Sequence, residues 1–136
     1  MFPCVVPNGF YGSQNEWEEL EAPLKKLDAL LEAYALAGGM TLSKNHRNWP
    51  ERSLRWGEDV VRLMQLYLDD EKTKTYSFWI CAHQDRGGER LWKHAFLKQG
   101  VPSSEIDASL SRLLEEGRVI LASWSVEDLD FATHLR

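Results

Sequence analysis

An α+β fold is predicted by three features of this sequence. They are an apolar stripe at helical spacing near the start, a block of β-branched and aromatic residues followed by a Gly-Gly turn, and a second helical stripe after it. Together they describe a three-stranded antiparallel β-meander, four-stranded at most, with long amphipathic helices before and after it packed on one face. The 136 residues contain no internal repeat, low-complexity tract or dividing linker. Residues 1–136 therefore read as a single domain, large enough for one hydrophobic core.

The first helix begins after Ser13. Ser13 and Glu16 have the capping-box spacing, in which hydroxyl and carboxylate satisfy the free amides of a first turn. Trp17, Leu20, Leu24, Leu27, Leu31 and Tyr34 recur in alternating steps of three and four, so they share one face. Pro23 removes an amide and clashes with the preceding turn, which predicts a kink or two consecutive helices. Gly38-Gly39 supplies the stop. Residues 40–57 carry the breakers Asn45, Asn48, Pro50 and Gly57 and read as a long connection, with a short helix after Pro50 as the other reading. This stretch is basic through Lys44, Arg47, Arg52 and Arg55, and it holds Trp49 and Trp56.

Residues 60–68 fit a strand or a helix. The acidic turn Asp69-Asp70-Glu71-Lys72 that follows favours the strand, because it feeds a second strand over residues 73–83. Asp85-Arg86-Gly87-Gly88 makes a hairpin connection, and residues 89–98 return antiparallel. Beyond Gly100 and Pro102 a helix capped near Ser103 or Ser104 carries the stripe Ile106, Leu110, Leu113, Leu114, Gly117, Leu121 and Trp124. A glycine inside a helix costs about 1 kcal/mol relative to alanine, so Gly117 points to close packing. Ser125-Val126-Glu127-Asp128 resembles another capping box and predicts a short acidic terminal helix.

Composition narrows the function classes. The net charge of −5 argues against nucleic acid as a partner, because phosphates call for a basic face. Cys4 and Cys81 lie far apart with no CxxC pair, so two reduced thiols are expected rather than a disulfide scaffold. The N-terminus lacks a basic n-region, and no apolar run approaches the length of a bilayer span. A soluble cytoplasmic chain without a membrane partner follows as the expectation. There is no P-loop, dinucleotide fingerprint, serine elbow or HExxH motif, and no cofactor is expected.

Strand alternation supplies the candidate site. With an even-numbered hairpin loop, Phe78, Ile80 and Ala82 join Leu91, Ala95 and Leu97 on an aliphatic face. The opposite face collects Trp79, Cys81 and His83 with Arg90, Trp92, His94 and Phe96. Flat aromatic area framed by polar groups is the composition of a protein-binding hot spot. Covered by residues 40–57, the same face becomes a pocket or a packed core. Cys81, His83 and His94 have the chemistry to bind zinc, and Cys81 beside a histidine that of a nucleophile. No fourth ligand and no recognised spacing accompanies them, so neither a metal site nor a catalytic residue is assigned. His46 and His134 read as solvated.

In size, acidity and helix–sheet layout the chain resembles bacterial immunity proteins, small cytoplasmic inhibitors that occupy a toxin's active surface. No residue motif carries that resemblance. It implies a non-catalytic protein-binding domain, with Trp79, His83, Arg90, Trp92, His94 and Phe96 as binding residues and another protein as partner. Two alternatives stand beside it: a small enzyme or ligand-binding domain with a pocket on the Trp/His/Cys face, and a homodimer or larger homo-oligomer that buries the face against itself.

Overall fold

The computed structural model describes residues 13–131. In chain order the elements are helices α1 (Gln14–Lys25) and α2 (Asp28–Gly38), strands β1 (Thr41–Lys44), β2 (Glu51–Trp56), β3 (Val61–Asp70), β4 (Thr75–Arg86) and β5 (Glu89–Pro102), helix α3 (Ser103–Ser123) and strand β6 (Asp130–Phe131). The α+β class holds. The meander is larger than expected, with six antiparallel strands in sequential order, so the count of three or four is corrected to six.

Local signals held where the sequence carried them. The capping box of α1 is formed, with the Glu16 amide donating to Ser13 Oγ and the Ser13 amide to Glu16 Oε1, each at 3.1 Å. The helix ends two residues after Pro23 and a second begins at Asp28, so the proline separates two consecutive helices. Gly39 closes α2 at a φ of 65°, in the left-handed region. The β4–β5 turn is the two-residue loop Gly87-Gly88, with φ of 52° and 88° and Arg86 facing Glu89 across it.

Three expectations are corrected. Residues 40–57 are neither a loose connection nor a helix after Pro50. They form the β1–β2 hairpin, with Lys44 opposite Arg52 at its closed end. Asn45 and Asn48, read as breakers, sit at φ of 56° and 57° and build the turn that pairs the strands. The terminal helix is only the 3-10 turn Val126–Asp128, its capping box formed, after which Leu129 is buried and β6 pairs with the rim of β5. A capping box marks a first turn and cannot supply the packing that prolongs it. Finally, α3 starts directly after Pro102, with no serine side-chain cap.

All three helices lie on one face of the sheet. Leu24 from α1, Leu54, Met64, Leu66, Phe78 and Ile80 from the strands, and Ile106, Leu110, Leu114 and Leu121 from α3 are almost wholly buried. Gly117 explains how closely α3 sits. A Cβ there would lie 2.9 Å from Met64 Sδ and 3.0 Å from Ile80 Cγ2. Arg62 fastens the far end of α3, its Nε donating to the Leu121 carbonyl at 3.0 Å and Nη2 to that of Trp124 at 3.1 Å.

The α1–α2 elbow is held to the sheet by Arg52, whose side chain is 1% exposed. Its Nε donates to Asp28 Oδ1 at 2.7 Å, Nη1 to Asn45 Oδ1 and the Glu51 carbonyl, and Nη2 to Glu21 Oε2 and Asp28 Oδ2. Removing the guanidinium leaves the Glu21 and Asp28 carboxylates with only the Asn45 amide and the more exposed Lys25 and Lys44 to offset them. Arg52→Leu is expected to lose about 3–5 kcal/mol of stability in urea or thermal denaturation. A loss below about 1 kcal/mol would contradict the role given to this network.

Candidate functional site: the open face of the sheet

The side of the sheet away from the helices carries every residue that strand alternation selected. Pairing across β3, β4 and β5 aligns Gln65, Trp79 and Phe96 in one row, Leu63, Cys81 and His94 in the next, and Val61, His83 and Trp92 in a third. Arg90 faces Asp85 at the hairpin end, with its Nε donating to Asp85 Oδ1 at 2.8 Å. The even loop therefore produces the expected grouping. Among the described residues no helix covers this face.

The aromatic rings form a continuous group. Trp79 stacks on Phe96 with centroids 5.9 Å apart and meets His94 edge-on at 5.4 Å. Trp92 lies 4.9 Å from His94 and 6.1 Å from Trp79. Phe96 remains 42% exposed, and Trp79, His83, Trp92 and His94 are half-buried. Residues 40–57 do not roof this group. As β1 and β2 they widen the sheet sideways, and the expectation of a pocket beneath them falls.

Burial bears on the chemical readings of Cys81. Its side chain lies within the sheet, 3% exposed, and desolvation pushes the thiol up to about 11. A thiol held protonated by burial is a poor nucleophile near neutral pH. His83 is shifted the other way. Desolvation, then the Arg90 and Arg55 guanidinium groups, lower its pKa and keep the ring neutral. Its Nδ1 is buried and finds no hydrogen-bond partner among the described residues. No described group of three His, Cys, Asp or Glu side chains is placed to hold a metal ion. His46 is exposed in the β1–β2 turn, while Cys4 and His134 lie outside the described residues.

Two members of the face escaped sequence reasoning. Gln65 on β3 accepts a hydrogen bond from Trp79 Nε1, and its own Nε2 donates to Glu51 Oε2 at 2.7 Å and to Ser53 Oγ at 3.3 Å. Glu51 on β2 is 6% exposed, with Oε1 buried and unpartnered among the described residues. Desolvation pushes its carboxyl up to about 7, against the pull of the His46 backbone amide and then of the Arg47 and Arg52 guanidinium groups. Alternation along residues 61–67 could have found Gln65. Glu51 became visible only once β2 was placed in the sheet.

Two outcomes follow from this burial. In a Cys4→Ser background, Cys81 should react with a thiol reagent at pH 8 only at the rate of unfolding; rapid native-state labelling would contradict its burial. Folded Glu51 keeps its proton up to about 7, whereas an unfolded glutamate releases it near about 4.3. The carboxyl therefore contributes stability at low pH that is lost as pH rises through its folded value. Comparing Glu51→Gln with the parent, the stability difference should move in the variant's favour between about pH 5 and about pH 8. Parallel curves would sink the assignment.

No family model, curated protein or solved structure matches this chain.

Proposed function

We propose that the chain is a protein-binding domain without catalysis, and that its binding surface is the open face built on Trp79, Trp92, His94 and Phe96. The observation that carries this reading is an aromatic group lying uncovered by the described helices and framed by His83, Arg90 and Arg55. Large rings with few rotatable bonds lose little entropy on docking, and desolvating them against a partner is a main source of binding energy. Solvent-exposed aromatic area of this kind is unfavourable unless a partner covers it.

The helix side gives the packing, and among the described residues no group of three His, Cys, Asp or Glu side chains is placed to hold a metal ion. No helix among the described residues is long and apolar enough to cross a membrane. A cytoplasmic partner is part of the same proposal. We extend the proposal to an immunity-type inhibitor on the likeness of size, acidity and helix–sheet layout alone, its partner then being an enzyme whose active surface it occupies.

The test compares the parent with a folded Trp79→Ala, Trp92→Ala double variant in affinity capture from native lysate. The proposal expects one protein retained at near one-to-one amount by the parent and lost by the variant. A further requirement is that the purified partner slows backbone hydrogen exchange in β4 and β5. Equal retention by the variant, or protection elsewhere, would overturn the assignment of the face. Light scattering that gives a mass above one chain, reduced by the double variant, would identify a second copy as the occupant instead.

A further inference from the structure

We propose that Glu51 and Gln65 position Trp79 on the open face and make its hold proton-sensitive, because the charge of Glu51 decides which way the Gln65 amide points. The three side chains come from adjacent strands, with Gln65 directly opposite Trp79 and Glu51 on the diagonal, two residues before the Ser53 that faces Gln65. They form one directed chain of hydrogen bonds, from the Trp79 indole to the Gln65 carbonyl and from the Gln65 amide nitrogen to the Glu51 carboxylate.

The chemistry of the two ends fixes the middle. An indole N–H only donates, an ionised carboxylate only accepts, and a glutamine amide does one at each end. With Glu51 ionised, a single orientation of Gln65 satisfies both neighbours, and it is the one that offers Trp79 an acceptor. A protonated Glu51 is also a donor. Since it also keeps an acceptor oxygen, the amide is no longer held to one orientation: the half-turned form, which accepts from Glu51 and offers Trp79 no acceptor, becomes accessible, and the hold on the ring loosens.

Burial makes the second state accessible. Glu51 is more than nine-tenths buried, its Oε1 lacks a donor among the described residues, and its carboxyl takes up a proton near neutrality. The charged and titratable groups around it are Arg52 on its own strand, His46 and Arg47 in the preceding turn, and Tyr67 opposite it on β3. The two guanidinium groups favour the ionised form, and Tyr67 is held protonated by its own desolvation. His94 lies against the Trp79 ring from β5 and is the other imidazole to separate.

The consequence for binding rests on reading the open face as a protein-binding surface. The test uses the free chain, so either idea can fail without the other. In the 15N-labelled protein the indole N–H resonance of Trp79, assigned with a Trp79→Phe variant, is followed from about pH 5 to about pH 8.5, the range that brackets a carboxyl titrating near neutrality. The expected result is one titration of that resonance, with faster solvent exchange on its acid side. The titration should vanish in Glu51→Gln and Gln65→Leu and persist in His94→Gln. A Trp79 resonance that does not move in the folded parent, or that titrates equally in Glu51→Gln, overturns the proposal, as does loss of the titration in His94→Gln alone. Should the variants fail to fold, the Glu51 carboxyl carbon in 13C-labelled parent decides. A midpoint equal to that of the indole supports the relay, and a different one refutes it.

Discussion

The arrangement depends on a guanidinium placed where water cannot reach it. Arg52 spends all five of its N–H donors on Asp28, Glu21, Asn45 and the Glu51 carbonyl. In doing so it joins α1, α2, the β1–β2 turn and β2 at one point. Burying ions carries a penalty of several kcal/mol each, which only complete hydrogen bonding offsets. A lysine has three donors and no planar fork, so it could not serve the same set of acceptors. Asn45 completes the network, donating to Glu21 Oε2 at 2.7 Å and accepting from the Glu51 amide at 3.2 Å. Its left-handed backbone is what aims the side chain there.

That junction fixes the division of labour between the two sides of the sheet. With the α1–α2 pair anchored beside β2, and α3 seated on β3–β5 through Gly117 and capped by Arg62, every described helix lies on the same side. Most aliphatic positions of the strands are consumed there, with Val61 and Leu63 on the other side. The aromatic and imidazole positions have nothing left to cover them, and pack on one another instead. The proposal that this side is a binding surface rests on where the helices went.

The same strand, β2, links core and surface. Its residues alternate between Arg52, directed at the helices, and Glu51 and Ser53, directed at the open side. Glu51 is buried because of its position between the turn and β3, and it lacks the full set of donors that Arg52's partners enjoy. Two charges of neighbouring residues thus meet opposite fates: one is satisfied completely, the other is pushed toward neutrality. The polar chain from Glu51 to Trp79 places that imbalance next to the aromatic group.

What the sequence by itself determined were features with a local cause. The capping box at Ser13, the break at Pro23, the Gly87-Gly88 turn and the stripes of α1, α2 and α3 are set by bonds and sterics within a few residues. The period of two along β4 and β5, with an even turn between them, was enough to bring Trp79, His83, Arg90, Trp92, His94 and Phe96 to one face. Tertiary structure decided the rest. Strand β1 is short and mostly exposed, and β2 mixes Leu54 and Trp56 with Glu51, Arg52, Ser53 and Arg55, so neither carries a clear apolar alternation; they are strands because β3 offers β2 a ladder and β2 offers one to β1. Strand β6 has two residues and exists only as a partner to β5. Arg52 and Glu51 are ordinary charged residues in sequence. Only folding, which removes water from both and supplies donors and acceptors unequally, made one the junction of the domain and the other a group that titrates near neutrality.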